Sequence, residues 1–411
     1  MSRDGDTAGA GRSWRPWSAV LLAALVVRVA IVALTPLSIE WPDGREYQAV
    51  ARSLVEHGTY GEQTLRPPGY PTLMAGVSRM FGPSLIALRL VEALLGTASV
   101  GIVGAVGAAV FGPTAGLVAA GMMALHPILA FLPATQYSEN TLVLVLALAF
   151  GAVFAGWRRG GLRYWAAAGV LFGLAALIRP NTVVLIPGLG IGSLAALRRA
   201  GRAWIGPALV AGAALALTIA PWIVRCHRVH GEWFFVATGG GRQFWLGNHA
   251  RATGDTRAPA LWNAAELDSL RARPDDIARE RWFYEEGMRA VRADPGRAAG
   301  LYLVRLGNLF ALWPETYSRT SYLNVWSRWA QGLASVAIFA GVILALLRRR
   351  DDPAVWTLAG AVVGFALVNA VFFTVLRYRM AFEPCLLWLA GAGWASLGRV
   401  TAFGRRVGVS R

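Results

Sequence analysis

The chain contains no lysine and only two cysteines among its 411 residues. All 40 lysine-plus-arginine positions are therefore arginines, and their abundance beside alanine and glycine indicates a coding bias. On this background a single arginine is weak evidence for a function. The two cysteines, Cys226 and Cys385, allow one disulfide at most, which we do not expect. Cysteine and histidine also show no spacing typical of a zinc site.

Charged side chains are scarce as well. They make up 15% of the residues against 55% that are hydrophobic, and the mean hydropathy is +0.47. This composition excludes an ordinary soluble globular protein and indicates a multi-spanning membrane protein. A net charge of +17 would suggest a nucleic-acid partner, but the arginines cluster in short segments between long apolar runs. We therefore expect the lipid bilayer, and no nucleic acid, as a partner.

Three features of other protein classes are missing. No small-residue cleavage site follows the first apolar run, 17–35, so this run is read as a retained span. No internal repeat of fixed period is evident, which argues against transporters built from repeated halves. The stretch TGGGRQFWLGN, residues 238–248, lacks the Gly-Lys-Ser/Thr end of a phosphate-binding loop and precedes no clear helix. We read it as a flexible lid or acceptor-binding loop.

Apolar runs long enough to cross about 30 Å of hydrocarbon recur along the chain. They predict an all-α polytopic membrane protein with about ten transmembrane helices, forming one domain over residues 1–411. The runs lie at residues 17–36, 84–111, 114–132, 138–157, 163–179, 181–197, 203–224, 329–347, 354–375 and 381–398.

Arginines occupy alternate loops between these runs, and the positive-inside rule places those loops and both termini in the cytoplasm. The arginines concerned are Arg158, Arg159, Arg163, Arg198, Arg199, Arg202 and Arg348 to Arg350. A first outer loop, 37–83, and a large outer loop, 225–328, then lie outside. Within the large loop, Arg305 interrupts a short apolar run, 301–313. We expect an interfacial helix there, with an extra span as the alternative.

The first outer loop organises the rest of the prediction. Asp43 opens it, and the apolar spacing from Tyr47 to Val55 predicts a helix that Gly58 ends. The RPPGYP turn, Arg66 to Pro71, then fixes an extended backbone before a second helix over 70–81. Two amphipathic helices joined by a rigid turn suit the membrane surface better than a span. The loop is therefore predicted to hold Asp43 at the membrane face.

These motifs resemble those of the polytopic glycosyltransferases of GT-C type. The branch is that of the bacterial relatives of the dolichyl-phosphate-mannose protein mannosyltransferases and lipid A aminoarabinose transferases. Its members carry an acidic residue after the first span, a tyrosine four residues on, and an R-P-P-G-Y/H-P turn. The matching residues are Asp43, Tyr47, Arg66 to Pro71, Tyr137 to Glu139, Arg179 and Pro180, Phe244 to Asn248, and Arg377 to Pro384.

The resemblance implies an enzyme that transfers a hexosyl or pentosyl group from a polyprenyl-phosphate donor to an extracytoplasmic acceptor, with inversion. The acceptor stays open between a protein, a lipid-linked glycan and a cell-wall glycan. It further implies a multi-pass protein of the bacterial cytoplasmic membrane, with the site on the extracytoplasmic face and a role in cell-envelope biogenesis. The alternatives are a polytopic transporter or lipid or polysaccharide flippase, and a non-catalytic envelope assembly factor.

Asp43 is the predicted catalytic base, because an acceptor hydroxyl must lose a proton as it attacks the anomeric carbon. Helix capping and ligation of a divalent cation, Mg²⁺ or Mn²⁺, are its alternative roles. Arg377 is the first choice for binding the leaving phosphate, with interfacial anchoring as the alternative. The other predicted substrate-binding residues are Glu46, Tyr47, Arg66, Glu139, Arg179, Asn248, Tyr378 and Arg379.

Three ionisable residues lie inside the first two predicted spans, and we read them as structural. Arg89 and Glu92 are three residues apart and share one helix face, so they are expected to pair. Pairing of Glu92 with Arg28 across the bundle is the alternative.

The topology yields the first testable prediction. In a variant lacking Cys226 and Cys385, a cysteine placed at Thr59 should react with a membrane-impermeant thiol reagent on intact cells. A cysteine placed at Gly160 should react only after the cells are opened. The opposite pattern would reverse the orientation and remove the outer loops from the extracytoplasmic side.

Overall fold

The computed structural model describes residues 7–38, 42–254, 264–273, 275–313 and 325–407. All regular structure in these ranges is helical. The helices are α1 (Thr7–Leu34), α2 (Pro42–Glu56), α3 (Gly69–Phe81), α4 (Leu85–Phe111), α5 (Pro113–Ala124), α6 (Pro127–Phe131), α7 (Glu139–Arg159), α8 (Leu162–Ile178), α9 (Leu185–Arg199), α10 (Ile205–His230), α11 (Gly240–Asn248), α12 (Ala264–Arg271), α13 (Asp276–Ala293), α14 (Pro295–Leu309), α15 (Val325–Arg348), α16 (Pro353–Asn369) and α17 (Glu383–Val407). Short 3₁₀ turns lie at Leu132–Ala134, Pro180–Val184 and Leu376–Ala381.

Helices cover most of each of the ten predicted apolar runs, with the run 114–132 divided between α5 and α6, so the all-α polytopic prediction is confirmed. By length and composition, six helices of the described ranges can cross a membrane. They are Trp14–Leu34, Leu85–Phe111, Glu139–Arg159, Pro180–Arg199, Ile205–His230 and Ser327–Arg348. The pair Pro113–Ala124 and Pro127–Ala134 bends by 59° and adds a seventh if it forms one broken span. The apolar helices α8 and α16 are shorter, so the count of ten spans stays a prediction.

Helix α17 lies at the centre of the bundle. Its Trp388 packs against Phe150 and Phe154 of α7, with ring centroids 5.6 and 6.2 Å apart. The same indole donates a hydrogen bond to the Val103 carbonyl of α4 at 2.8 Å. Because α17 is tied to both neighbours, the 3₁₀ turn that precedes it has a fixed position over one end of the bundle.

The two ends of the bundle differ in composition. At one end, Arg202 donates to the Trp157 carbonyl where α7 ends, and Arg349 donates to the Phe111 carbonyl where α4 ends. This end carries the basic loops from which the cytoplasmic side is predicted. The opposite end carries α2, α3 and the 3₁₀ turn at Leu376–Ala381. It holds both acidic and basic groups, described below.

The outer-loop helices agree with the predicted pattern. Helix α2 ends at Glu56, and Gly58 follows with a φ of +68°, a conformation that favours glycine. Helix α3 follows the RPPGYP turn. Helix α14 has 15 residues, which rise about 22 Å and cannot cross about 30 Å of hydrocarbon. The prediction that 301–313 does not add a span is consistent with this length.

The ionisable residues of the first spans have other partners than those predicted. Glu92 accepts hydrogen bonds from Asn140 at 2.5 Å and Thr141 at 3.0 Å, both on α7. Arg89 instead donates to the carbonyls of Thr35 and Pro36 at the end of α1. Among the described residues neither arginine of these spans pairs with Glu92. The spacing-based pairing was wrong because freed helix-end carbonyls compete for the same guanidinium.

A cluster of charged side chains is completely buried where α17 begins. Glu383 accepts from Arg379 Nε at 2.7 Å, and its other oxygen lies 3.2 Å from Nε2 of His126. His126 accepts the Leu129 N–H through Nδ1 and so caps α6, which leaves the ring proton on Nε2 facing Glu383. Arg379 also donates to Ser335 of α15 at 3.2 Å. The cluster joins α6, α15 and α17.

Removing one partner of this cluster should be costly. Glu383→Ala leaves the Arg379 guanidinium buried without a carboxylate, which typically costs about 3–5 kcal/mol. We expect a clearly lower unfolding temperature in detergent than for the wild type. Glu56→Ala, at an exposed acid on α2, is the matched control and should change stability little. Equal unfolding temperatures for the two variants would contradict the structural role of the cluster.

Candidate active site

Six charged side chains form one alternating network at the end of the bundle that carries α2 and α3. The network runs Glu46, Arg66, Asp43, Arg377, Glu139, Arg179. In this order, successive nitrogen–oxygen distances are 2.6, 2.7, 2.9, 3.1 and 2.6 Å. Three carboxylates face three guanidinium groups, so the network is neutral overall. The structure thus brings together six of the residues predicted from the sequence.

Asp43 and Glu139 occupy different depths in this network. Asp43 lies in the first turn of α2, where a carboxylate interacts favourably with the helix dipole. Its side chain is 23% exposed, and its two oxygens accept from Arg66 and Arg377. Glu139 opens α7 and is only 1% exposed. Of these two carboxylates, Asp43 is therefore the one that is partly open to solvent.

Tyrosine rings support the arginines of the network. Arg377 lies over the Tyr137 ring at 3.8 Å, and Arg66 lies over the Tyr47 ring at 4.9 Å. Arg179 lies 5.1 Å from the Tyr378 ring. A planar guanidinium stacks favourably on an aromatic face. A tyrosine ring therefore supports each arginine of the network.

The RPPGYP turn brings Arg66 to this site by close packing. A Cβ at Gly69 would lie 2.7 Å from Ile178 Cγ1 and 2.9 Å from the Leu177 carbonyl oxygen. Only glycine allows this approach to the end of α8, beside Arg179. Close contact with α8 therefore explains the glycine at this position.

Electrostatic interactions keep Asp43 ionised. Burial raises the pKa of Asp43, but Arg377 and Arg66 lower it by more, and the pKa lies well below the usual range. The pKa of Arg66 is raised although burial opposes this, because Tyr47, Asp43 and Glu46 surround it. Asp43 without a bound substrate is thus a carboxylate at any physiological pH.

Ligation of a divalent cation is the alternative role for Asp43, and the side chains around Asp43 do not fit it. In the described ranges no group of three or more His, Cys, Asp or Glu side chains lies close enough to hold a metal ion. Arg377 lies between the carboxylates of Asp43 and Glu139 and donates to both. A cation such as Mg²⁺, which requires several oxygen ligands, would have to displace this arginine.

Arg379 and Asn248, which are also predicted to bind substrate, have their polar atoms in other contacts. Arg379 is completely buried, and its nitrogens are occupied by Glu383, Ser335 and the Ala311 carbonyl. Asn248 is 4% exposed and ends α11, where its amide donates to the Phe244 and Val371 carbonyls. Its Oδ1 accepts from the buried Arg305. These contacts occupy the polar atoms of both side chains and favour a structural role for them over substrate binding.

Helix α11 was missed by the sequence reading, which expected a flexible loop over 238–248. The Glu280 carboxylate of α13 accepts the Gly241 N–H at 2.8 Å and so holds the helix start. Burial raises the pKa of Glu280 to about 7, although hydrogen bonds from backbone N–H groups at the start of α11 act to lower it. The helix carries Gln243, whose Oε1 accepts from Tyr378 at 3.3 Å. Successive glycines hid a helix that is stabilised by tertiary contacts.

The segment just before α7 was recognised only in part. Ser138 lies 3.4 Å from the Tyr47 hydroxyl and accepts from Arg179 Nε at 3.3 Å. Tyr137 underlies Arg377, and Gln136 packs against Gly44, the neighbour of Asp43. Of this segment, the sequence reading assigned only Glu139 to the site. The sequence feature that could have pointed to this segment is its position between two predicted spans.

Fold and site together define a class: a polytopic, all-helical membrane protein with a neutral acid–arginine network at one end of its bundle. Residues 65–224 match the family model described as dolichyl-phosphate-mannose-protein mannosyltransferase. No curated protein sequence matches the chain.

Solved structures of the oligosaccharyltransferase of Archaeoglobus fulgidus are similar in fold. The apo form aligns with a TM-score of 0.58 and 14% identity, over 97% of this chain and 52% of its own. AglB from the same organism, in complex with an inhibitory peptide and a dolichol-phosphate, aligns with the same TM-score over 53% of its length. The chain thus spans about half the length of these relatives.

ArnT from Cupriavidus metallidurans bound to undecaprenyl phosphate aligns with a TM-score of 0.47 and 17% identity, over 93% of this chain and 79% of its own. The resemblance to the GT-C type glycosyltransferases, first seen in the motifs, is confirmed by the family-model match and the fold of the archaeal enzyme. The protein is a multi-pass membrane protein with the GT-C fold.

The depressed pKa of Asp43 makes a prediction for stability. A carboxylate with a lowered folded-state pKa contributes stability above its unfolded pKa of about 3.9 and loses it as the pH falls through the folded value. The advantage in unfolding temperature of the wild type over Asp43→Asn should therefore stay constant from pH 8 to about pH 5 and shrink as the pH falls below about 4. An advantage that is unchanged below about pH 4, or that grows as the pH falls from 8 to 5, would show that the pKa is not lowered.

Proposed function

We propose that the protein is an integral membrane glycosyltransferase that takes a sugar from a polyprenyl-phosphate donor. The observation that carries this proposal is the partly exposed carboxylate of Asp43 held beside Arg377. Sugar transfer from a lipid phosphate requires a base for the acceptor hydroxyl and, next to it, a fixed cation for the leaving phosphate. The family-model match over 65–224 and the archaeal relative's fold support it.

The proposed reaction is a single displacement. Asp43 accepts the proton of the acceptor hydroxyl while the oxygen of that hydroxyl forms a bond to the anomeric carbon. The bond from that carbon to the phosphate oxygen breaks, and the bonding electrons leave with the polyprenyl phosphate. Arg377 donates hydrogen bonds to the phosphate as its negative charge grows. Attack from the face opposite the phosphate inverts the anomeric centre.

Donor binding and base strength are coupled in this arrangement. An efficient base has a pKa near the working pH, and Asp43 between two arginines is too acidic for that role. A donor phosphate competes with Asp43 for the Arg377 guanidinium. Each arginine contact that Asp43 loses raises its pKa. Asp43 therefore becomes an effective base when the donor is bound.

The acceptor and the membrane side complete the proposal. The site would face the extracytoplasmic side of the bacterial cytoplasmic membrane, where a protein, a lipid-linked glycan or a cell-wall glycan could supply the hydroxyl. The transferred group is hexosyl or pentosyl. A transporter or flippase would place its ionisable groups near the bilayer midplane, whereas this network lies at one end of the bundle. A non-catalytic assembly factor would have no need of the base.

Asp43→Asn tests the base directly. Arg66 keeps Glu46 and Arg377 keeps Glu139 as partners, so the variant should fold and bind donor at least as tightly as the wild type. Its turnover should fall by about 10²–10⁴, the usual contribution of a general base. The measurement is sugar transfer by purified protein, with a panel of polyprenyl-phosphate sugars and envelope acceptors. Near wild-type turnover would remove Asp43 from the reaction.

Arg377→Ala tests the phosphate partner. Loss of charged hydrogen bonds worth about 1.5–3 kcal/mol should weaken donor affinity by about 10- to 150-fold. Arg377→Lys should restore only part of the affinity, because lysine lacks the planar fork. Arg52→Ala, at an exposed arginine on α2, is the matched control and should bind the donor as the wild type does. Equal donor affinity in all variants would leave Arg377 as an anchor only.

A further inference from the structure

Four consecutive residues, Gln136 to Glu139, line one side of the site. Gln136 touches Gly44 of α2, Tyr137 underlies Arg377, Ser138 contacts Tyr47 and Arg179, and Glu139 joins two arginines. They lie between the 3₁₀ turn at Leu132–Ala134 and the start of α7. Every side chain of this segment therefore contacts the network or its immediate neighbours.

Three buried polar atoms around this segment have no hydrogen-bond partner among the described residues. They are Gln136 Nε2, Glu139 Oε2 and Arg377 Nη1. Gln136 is 2% exposed and Glu139 is 1% exposed. Buried polar atoms are nearly always paired, so three of them around one site require an explanation. Together they offer two donors and one acceptor.

The chemistry of these atoms separates two kinds of ligand group. A phosphate diester carries only acceptors and a negative charge, so it suits Arg377 and is repelled by the Glu139 carboxylate. A sugar hydroxyl both donates and accepts, so it can donate to Glu139 Oε2 and accept from Gln136 Nε2. The pair of Gln136 and Glu139 therefore matches a hydroxyl-bearing group next to a phosphate.

We propose that Gln136, together with Glu139, binds hydroxyl groups of the transferred sugar while Arg377 binds the phosphate. The inference rests on the proposed function and adds a residue that determines which sugar is accepted. The position of Gln136 agrees with this role. A Cβ at Gly44 would lie 2.7 Å from Gln136 Oε1, which places the amide against the residue next to Asp43. The sugar ring would thus lie beside the base that activates the acceptor.

The experiment compares two lipids on purified protein. One is a polyprenyl phosphate without sugar, and the other is the polyprenyl-phosphate monosaccharide that the wild type binds best in a panel. Gln136→Leu keeps the size of the side chain but removes the amide. It should bind the sugar-bearing lipid about tenfold more weakly, the effect of a lost buried hydrogen bond. It should bind the sugar-free lipid as the wild type does, which also shows that it folds.

Gly44→Ala provides a second route to the same group. Its methyl would displace the Gln136 side chain and should weaken binding of the sugar-bearing lipid alone. Gly76→Ala on α3 is the control, because a Cβ there meets no atom within 4 Å. It should leave both affinities unchanged.

The outcomes separate this inference from the function on which it rests. Equal losses for the two lipids in Gln136→Leu would make Gln136 a structural residue and overturn the inference. Unchanged affinity for both would overturn it too, while the proposed transfer would stand. A wild type that binds neither lipid would overturn the proposed function and this inference with it.

Discussion

Charge neutralisation at the poorly hydrated end of a helix bundle is the constraint on which the site depends. Glu139 is almost completely buried, so its ionised form requires the nearby arginines. Arg377 pairs with Glu139 and with Asp43 at once. This shared guanidinium places a buried carboxylate and a partly exposed one on either side of a single cation. A bound phosphate must enter by competing for that cation.

A second use of arginine explains part of the composition. Where a span breaks or ends, backbone carbonyls lose their helical partners and need donors inside the membrane. Arg28 donates to the Met123 and Ala124 carbonyls where α5 ends. Arg305 donates to the Gly247 and Ala370 carbonyls. Coding bias alone therefore does not account for these arginines, since each one holds a helix end that positions the site.

The sequence predicted the helices well, because apolar runs and glycine or proline breaks are local signals. It predicted the network residues through their motifs, but not their pairing. Arg377 and Arg379 are two residues apart in a 3₁₀ turn, so their side chains point about 120° apart. One enters the network and the other a buried cluster. No local pattern distinguishes them.

Tertiary contacts decided the remaining features. The glycines before Arg242 weaken a helix in isolation. Helix α11 is nevertheless stable because Glu280 accepts a hydrogen bond at its start and because it packs against α13. Gln136 has no motif of its own and gains importance only from its contact with Gly44. Likewise, Glu92 was assigned to Arg89 by its spacing and instead fixes Asn140, the neighbour of Glu139. Such long-range choices require the folded chain.

The most direct test of the account is a cryo-electron microscopy structure with a polyprenyl-phosphonate sugar, a donor analogue that cannot transfer its sugar. The account predicts that the phosphonate oxygens lie within hydrogen-bond distance of Arg377, that the anomeric carbon faces Asp43, and that at least one arginine contact of Asp43 is lost. A phosphonate bound away from Arg377, with the contact between Asp43 and Arg377 unchanged, would contradict it.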